Sequence, residues 1–410
     1  MSSQTAWFEQ QTGYGLNKTI RCAHFFNSQT GIIGGGSGTL ARTTNGGENW
    51  IQISTNVNNH FTSISFINNN TGWISGGFYD YTNTIELLRK TTDGGLTWDS
   101  LYFEPTDRIN DIKFINDNTG YMAGKYIKKT TNGGLNWYVI DDYMSIFTNY
   151  HLFFLHSMTG WVTKMYAAPQ ANTFIAKLVK TTNGGQDWIT QICDSNSVNN
   201  SIEGIYFIND NTGFISLVHF GIKKTTDGGQ SWVNVFNSQS CYDIKFINDN
   251  TGWVGSYSDI LRTTNGGLNW IKNSVSQNCV FLTINFINDL TGWAGGGTGN
   301  FPKLFKTTNG GSVFINNISA EVPAKYSLHQ NYPNPFNPAT NIKFSIIKSA
   351  DVKLIVYNIQ GREVQKLVNE TLKPGTYETW FDGSKLNSGV YFYKLIVDDF
   401  SETKRMLMIK

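Results

Sequence analysis

The chain has 410 residues, 40% hydrophobic and 14% aromatic, which is ample material for a core and excludes disorder as its overall state. Only 15% are charged while glycine occurs 41 times, the profile of a turn-rich all-β protein. The net charge of +2 is spread as −1 over residues 1–320 and +3 over the rest, so neither part offers the basic face that nucleic acid binding needs.

The first residues, Met1-Ser2-Ser3-Gln4-Thr5, lack the charged and apolar layout of a signal peptide. Either the chain is cytosolic or it is a mature form given a new start Met. No apolar run reaches the length of a transmembrane helix, about 18 residues, so none is expected. Ala6-Trp7-Phe8-Glu9-Gln10 then reads as a strand with no repeat before it.

A three-part repeat follows and dominates the chain. Its first part, usually Phe-Ile-Asn, begins at Phe25, Phe66, Phe114, Phe154, Phe207, Phe246 and Phe286. Its second, usually Thr-Gly-Trp, has its glycines at Gly31, Gly72, Gly120, Gly160, Gly213, Gly252 and Gly292. Its third, Thr-Thr-(Asn/Asp)-Gly-Gly, starts at Thr43, Thr91, Thr130, Thr181, Thr225, Thr263 and Thr307. Each unit predicts four short strands, A to D. Strand A ends in Phe-Ile-Asn, strand B starts at Thr-Gly-Trp and strand C leads into Thr-Thr. The Gly-Gly pair makes a tight hairpin, because Gly and Asn accept positive φ cheaply. Strand D begins at a Trp three residues on, at Trp50, Trp98, Trp137, Trp188, Trp232 and Trp270.

The seventh copy lacks that Trp: Ser312-Val313-Phe314 follows Gly310-Gly311. The N-terminal strand is expected to supply the missing strand D, closing a ring of seven blades and removing two exposed edges. The fold class expected is therefore all-β: a seven-bladed β-propeller closed by the N-terminal strand, over residues 1–314, followed by a small β-sandwich.

Composition shifts after Phe314. Residues 315–330 read as a linker, and four of the eight prolines lie between Pro323 and Pro338. Strands are predicted at 341–346, 352–357, 363–368, 375–381, 389–397 and 404–409, a small Ig-like sandwich over 331–410.

The hairpin resembles the Asp box of BNR/Asp-box propellers. Thr91-Thr92-Asp93-Gly94-Gly95-Leu96-Thr97-Trp98 matches in full, and Thr225 to Trp232 matches with Asp227 and Ser231. Asn45, Asn132, Asn183, Asn265 and Asn309 replace the Asp elsewhere. The resemblance implies a structural role for Asp93, Trp98, Asp227, Trp232, Asn45 and Trp50. A short side-chain oxygen caps turn N–H groups and the Trp packs on the hairpin. The three motifs together are most similar to bacterial photosystem II assembly-factor-like propellers over residues 6–311, a resemblance of fold that carries no link to photosynthesis.

Tyr326-Ser327-Leu328 and Gln330-Asn331-Tyr332-Pro333-Asn334-Pro335-Phe336-Asn337-Pro338 resemble the start of a type A sorting domain of the type IX secretion system. Val356 to Val364, Leu372 to Tyr377, Ser388 to Tyr393 and Lys404 to Lys410 continue the match, in order, over 321–410. It implies periplasmic transit, recognition by the outer-membrane translocon through residues 331–410, and release or attachment at the cell surface. It thus favours the mature-form reading of the N-terminus, whose signal peptide is not in this chain.

In propellers, ligands bind on the face made of D–A and B–C loops. The spacing from Thr-Gly-Trp to Thr-Thr is 12, 19, 10, 21, 12, 11 and 15 residues, so units two, four and seven carry enlarged B–C loops. These hold Phe78, Tyr79, Asp80 and Tyr81, then Tyr166 and Phe174, then Phe301. Aromatic loops on a rigid scaffold suit sugars or protein surfaces, although length drift alone produces such loops too.

Near the channel mouth, four residues before each strand-A Phe, lie Arg21, Thr62, Asn110, Tyr150, Glu203, Tyr242 and Leu282. Cys22, Ser63, Asp111, His151, Gly204, Asp243 and Thr283 come next. Arg21, Tyr150, Tyr242 and Glu203 could converge on a polar ligand, or merely line a solvated channel. Glu203 with Asp111 or Asp243 is the carboxylate pair a glycosidase would need. Against catalysis, the repeat region has only five arginines, Arg21, Arg42, Arg89, Arg108 and Arg262, and the three that precede Thr-Thr in strand C lie away from the channel. No sialidase-like arginine triad, nucleophile elbow or phosphate loop is present.

The expected function is a secreted or surface-attached, non-catalytic binding propeller for a glycan or a surface protein, monomeric, with no cofactor or metal. The alternatives are an Asp-box glycoside hydrolase or lyase on extracellular polysaccharide, and a structural surface or matrix protein. Cys22, Cys193, Cys241 and Cys279 fit no zinc spacing. They are either disulfides, with Cys241–Cys279 the first pair to consider, or buried thiols.

Overall fold

The computed structural model describes residues 7–11, 18–55, 57–79, 84–101, 109–141, 151–167, 174–191, 201–237, 239–276, 278–298, 301–311, 316–319, 321–383 and 386–409. These residues form strands and turns and no helix. They divide into two compact units that part between Gly311 and Ser312.

The first unit, from Trp7 to Gly311, contains seven antiparallel four-stranded sheets. Numbered in chain order, their first strands are Ile20–Phe25, His60–Phe66, Asp111–Phe114, Leu152–Phe154, Ile202–Phe207, Cys241–Phe246 and Val280–Phe286. Each first strand touches the next, and the seventh touches the first. Six fourth strands come from the same repeat as the rest of their sheet and start one residue after the Trp, as at Ile51, Asp99 and Tyr138. In sheet 7 the fourth strand is Phe8–Glu9, paired in register Phe8↔Lys306 and Glu9↔Phe305.

The repeat motifs explain this geometry. Second strands such as Gly31–Gly35 and Gly252–Ser256 are buried along their whole length, so they read as unbroken small and apolar runs. The glycine of Thr-Gly-Trp pairs with the Phe of Phe-Ile-Asn, whose ring lies flat over it. At Gly72 a Cβ would stand 2.5 Å from the Phe66 ring. The Asn after Phe-Ile makes the turn: Asn68 Oδ1 accepts the Asn70 and Thr71 N–H groups at 2.8 and 2.7 Å.

The Thr-Thr-(Asn/Asp)-Gly-Gly turn is also held locally. Thr91 Oγ1 donates to Asp93 Oδ1 at 2.7 Å and accepts the Gly95 N–H at 2.9 Å. Asp93 in turn accepts the Leu96 and Thr97 N–H groups at 3.0 Å. Gly94 and Gly95 have φ of 71° and 80°, which L side chains rarely adopt.

Aromatic stacks join neighbouring sheets. Trp73 lies on Phe114 with centroids 3.5 Å apart, and its indole N–H donates to Gly133 O of that next sheet at 3.0 Å. Trp253 on Phe286 and Trp293 on Phe25 repeat both contacts. Tyr121 and Phe214 stand in for the Trp elsewhere, and Ile32 does so in sheet 1. A cation caps most stacks, as Lys90 does over Trp73 and Arg262 over Trp253.

The described part of the second unit holds two antiparallel four-stranded sheets. One runs in the order Asn316–Ser319, Gly375–Asp382, Ala339–Ile346, Ser327–Leu328. The other runs Glu363–Leu372, Ala350–Asn358, Gly389–Val397, Phe400–Met408. Inward residues of both sheets share one core, Phe344 and Phe381 from the first with Leu354 and Leu395 from the second. The stretch expected as a linker, 315–330, thus contributes two strands. Pro323 marks an interruption, but Asn316–Ser319 and Ser327–Leu328 on either side of it find partners along the edges of a sheet.

Candidate functional site

The seven first strands have exposed edges toward one another, so their backbone groups must find partners other than a continuous ladder. Side chains supply several. Asp111 Oδ2 accepts the Leu152 N–H of the next first strand at 2.8 Å, and its Oδ1 accepts from Ser63 and from its neighbour Ile112 N–H. Asp243 Oδ2 accepts the Ile284 N–H at 2.7 Å. One level along, Ser65 Oγ accepts the Phe114 N–H and Asn285 Oδ1 accepts the Phe25 N–H, at 3.0 and 3.2 Å.

Five of these strands carry a register shift at the point where the sequence alignment placed its mouth residues. The unpaired residues are Arg21, Thr62, Glu203, Tyr242 with Asp243, and Leu282. A bulge bends the strand and re-aims the side chain it carries. Glu203 is thereby brought to His151, Oε2 to Nε2 at 3.7 Å, and its Oε1 accepts from Ser201 Oγ at 2.5 Å. Burial alone would lower the His151 pKa. The hydrogen bond and charge of Glu203, helped by Asp111 and Asp243, raise it above its ordinary value instead. Burial raises the Asp243 carboxyl, partly offset by Lys245 and the Ile284 N–H.

Four expected mouth residues therefore belong to one electrostatic neighbourhood, His151 and the three acids that act on it, Glu203, Asp111 and Asp243. Tyr242 joins it: burial, and beyond it the Glu203 charge, raise its pKa. Arg21 does not touch Glu203 or Tyr242 among the described residues. Its Nε is buried without an acceptor among the described residues, and burial lowers its pKa. Tyr150 and Arg108 lie outside the described residues.

The larger B–C loops appear as longer hairpins. Gly72–Tyr79 with Thr84–Thr91, and Gly160–Ala167 with Phe174–Thr181, are eight-residue strands, and Gly292–Thr298 with Phe301–Thr307 are seven. The other second strands have four or five residues, so these three hairpins extend about 7–13 Å further. Tyr79, Tyr166 and Phe174 occupy the last described positions near two of the tips, with Tyr166 opposite Ile175 and Phe174 opposite Ala167. Tyr81 and Asp80 lie outside the described residues.

Sequence reasoning missed part of this rim. Phe220 and Tyr257, on the B–C turns of sheets 5 and 6, are 47% and 45% exposed, beside Phe301 of sheet 7 at 74%. Positive φ at His219 and Ser258 holds these turns tight. Hydrogen bonds tie them to the next first strand's entry, His219 N–H to Ser240 Oγ at 3.2 Å and Ser258 N–H to Cys279 O at 2.7 Å. Loop length gives no hint of them, although Phe220 beside the turn glycine Gly221 was an available signal.

The remaining candidates are structural in their contacts. Arg42 donates to Gly94 O and Arg89 to Thr55 O. Cys22, Cys241 and Cys279 are free, buried, and pushed up to about 12 by burial, so Cys241 and Cys279 form no disulfide with each other. Cys193 lies outside the described residues.

Solved structures share this fold. A YCF48 structure bound to D1 peptide matches with a TM-score of 0.57 and 19% identity, covering 75% of this chain and 96% of that one. YCF48 from Cyanidioschyzon merolae matches at 0.54 and 17%, covering 73% and 98%. The GH74 xyloglucanase from Xanthomonas campestris matches at 0.54 and 9%, covering 83% of this chain but 59% of that one. These likenesses define the class, an all-β protein with a β-propeller, and show the fold alone. No curated protein sequence matches significantly. A second assignment comes from the C-terminus, where residues 330–410 match the secretion system C-terminal sorting domain. The chain is therefore exported through the type IX secretion system, to the cell surface or beyond it. Among the described residues no helix is long and apolar enough to cross a membrane.

Proposed function

We propose that the protein is a secreted or surface-attached binding propeller without catalytic activity. In this reading the seven sheets are the blades of one ring, closed by Phe8–Glu9 and surrounding an axial channel. The cyclic contacts of the first strands support it. The Thr-Thr-(Asn/Asp)-Gly-Gly turns are its Asp boxes. Residues 1–314 are the propeller domain, and residues 331–410 are an Ig-like sorting domain that engages the translocon, extended at its start by the strands from Asn316.

The ligand is an extracellular glycan or protein surface, held on the rim of B–C hairpins. The observation that carries this reading is a contrast. Asp111 and Asp243, the acids a hydrolase would use, spend their oxygens on backbone N–H groups of adjacent strands. Phe220, Tyr257 and Phe301 instead stand exposed on three successive blades. Exposed rings on rigid turns suit the faces of sugars and the apolar spots of a protein partner. A peptide-bound YCF48 shows that this fold accommodates such a ligand in another protein.

The test is retention of the full chain on glycan arrays and polysaccharide beads, with mass spectrometry of the same samples. Retention without new products, reduced at least tenfold by Tyr257→Ala or Phe220→Ala, is the expected result. Shortened glycans would overturn the non-catalytic reading and direct attention to Glu203. Self-association without retention would favour a matrix role.

A further inference from the structure

We propose that the axial channel holds an oxyanion, a phosphate or a carboxylate, between Lys113 and Lys245. The proposal rests on the closed-ring reading above, since these lysines lie on the third and sixth first strands.

Both occupy the position just before the strand-A Phe. The seven equivalents are His24, Ser65, Lys113, Phe153, Tyr206, Lys245 and Asn285. Five of them are used up by protein contacts. Ser65 and Asn285 accept backbone N–H groups of the next first strand, and Tyr206 donates to Phe246 O at 2.7 Å. The His24 ring stacks on Phe66 with centroids 4.8 Å apart, and Phe153 packs on Tyr206 at 5.2 Å. The Lys113 and Lys245 side chains alone among the seven make no hydrogen bond, ion pair or ring contact among the described residues. Lys113 is open to water and Lys245 is half-buried, so both ammonium groups can meet a solute, although protein packed around Lys113 disfavours its charge.

The two cations act on one space. Burial and then the charge of Lys245 lower the Lys113 pKa, against the attraction of Asp111. Burial, Lys113 and Lys245 bring His24 down to about 4, so it is neutral at pH 7 and can donate a hydrogen bond without adding charge. The nearest acids do not neutralise this level. Asp111 and Asp243 sit two residues earlier on the same strands, about 7 Å along them. Their oxygens already serve Leu152, Ile112, Ser63 and Ile284. Two like charges enclosed by protein walls raise the local concentration of counter-ions. Ammonium groups carry three donors each, which suits an anion with several oxygens.

Calorimetric titration of the full chain at pH 7 and low salt would use inorganic phosphate as one probe and succinate as another. Saturable binding of at least one of them near one per chain is expected, weakened at least tenfold in Lys113→Met and in Lys245→Met and unchanged in Lys353→Met. Binding of phosphate alone assigns a phosphate site, and binding of succinate alone assigns a carboxylate site. The His24 titration midpoint, followed by NMR, should rise in either lysine variant even before any anion is added. Absence of saturable binding by both probes, or equal binding in the lysine variants, overturns the proposal. Removal of residues 1–11 is run beside these samples: if it leaves the melting temperature unchanged, the closed ring has failed, whatever the anion result.

Discussion

At the scale of single residues, the threonine that opens each Thr-Thr-(Asn/Asp)-Gly-Gly turn carries more than its size suggests. Thr91 is buried, and its hydroxyl is the partner of a buried glycine N–H. Thr91→Val keeps the shape and orphans that donor, so a loss of about 1–3 kcal/mol is expected by urea unfolding, with Thr91→Ser close to the parent. Asp93 is held down to about 2; burial opposes that, and the hydrogen bonds from Thr97, Thr91 and Leu96 prevail. The Asn of five other such turns uses the same oxygen, as Asn45 does for the Asn49 N–H at 2.9 Å, which explains why the charge is dispensable. His151 has the opposite sign. Its folded pKa is raised, so its contribution to stability is complete below the unfolded value of about 6.5 and is lost as pH rises through the folded value. Unfolding midpoints measured from pH 5.5 to 9 should show that loss in the parent, and His151→Asn should remove it.

At the scale of elements, the unit that packs is a pair of neighbouring strands from different repeats. The Phe of each first strand is sandwiched between an aromatic or Ile from the preceding sheet and the edge of the Trp after the Gly-Gly turn of its own, as with Phe66 against Trp98 at 6.0 Å. Sheet 7 has no such Trp in sequence order, and Trp7 fills the place, edge-on to Phe286 at 5.8 Å. Trp7→Ala should therefore cost about 3–5 kcal/mol, the range for emptying a buried indole site. It should also expose the edge of Phe301–Thr307 and promote association, visible by light scattering. If the variant unfolds at the parent's urea midpoint, Trp7 plays no such part. The Lys or Arg before each Thr-Thr was visible in every repeat, but its place over a side chain of its own sheet, as Lys90 over Trp73, appears only once the second and third strands are paired.

At the scale of the whole molecule, the chain joins a rigid repeat scaffold to an export signal. Deleting residues 330–410 should leave the protein in the periplasm, measured by fractionation of cells expressing full-length and truncated forms. Release of the truncated form to the medium would contradict the sorting role. The repeat, the strand order within each sheet, the missing seventh Trp and the sorting motif were legible in the sequence, because each is carried by residues within about 50 positions of one another or by an ordered run of motifs. The strand pairing in 316–328 was not legible, since two short polar strands gain their stability from edges supplied by residues 339–382. Nor was the site. Burial, a bulge and strands 41 to 52 residues apart bring His151 to Glu203, Asp111 to Leu152 and Asp243 to Ile284. Local order, the turns, periods and paired faces of each repeat, followed from the amino acids alone. What only the tertiary structure decided was which charges face one another across the first strands, because electrostatic neighbours are set by distance in space and by the water that packing excludes.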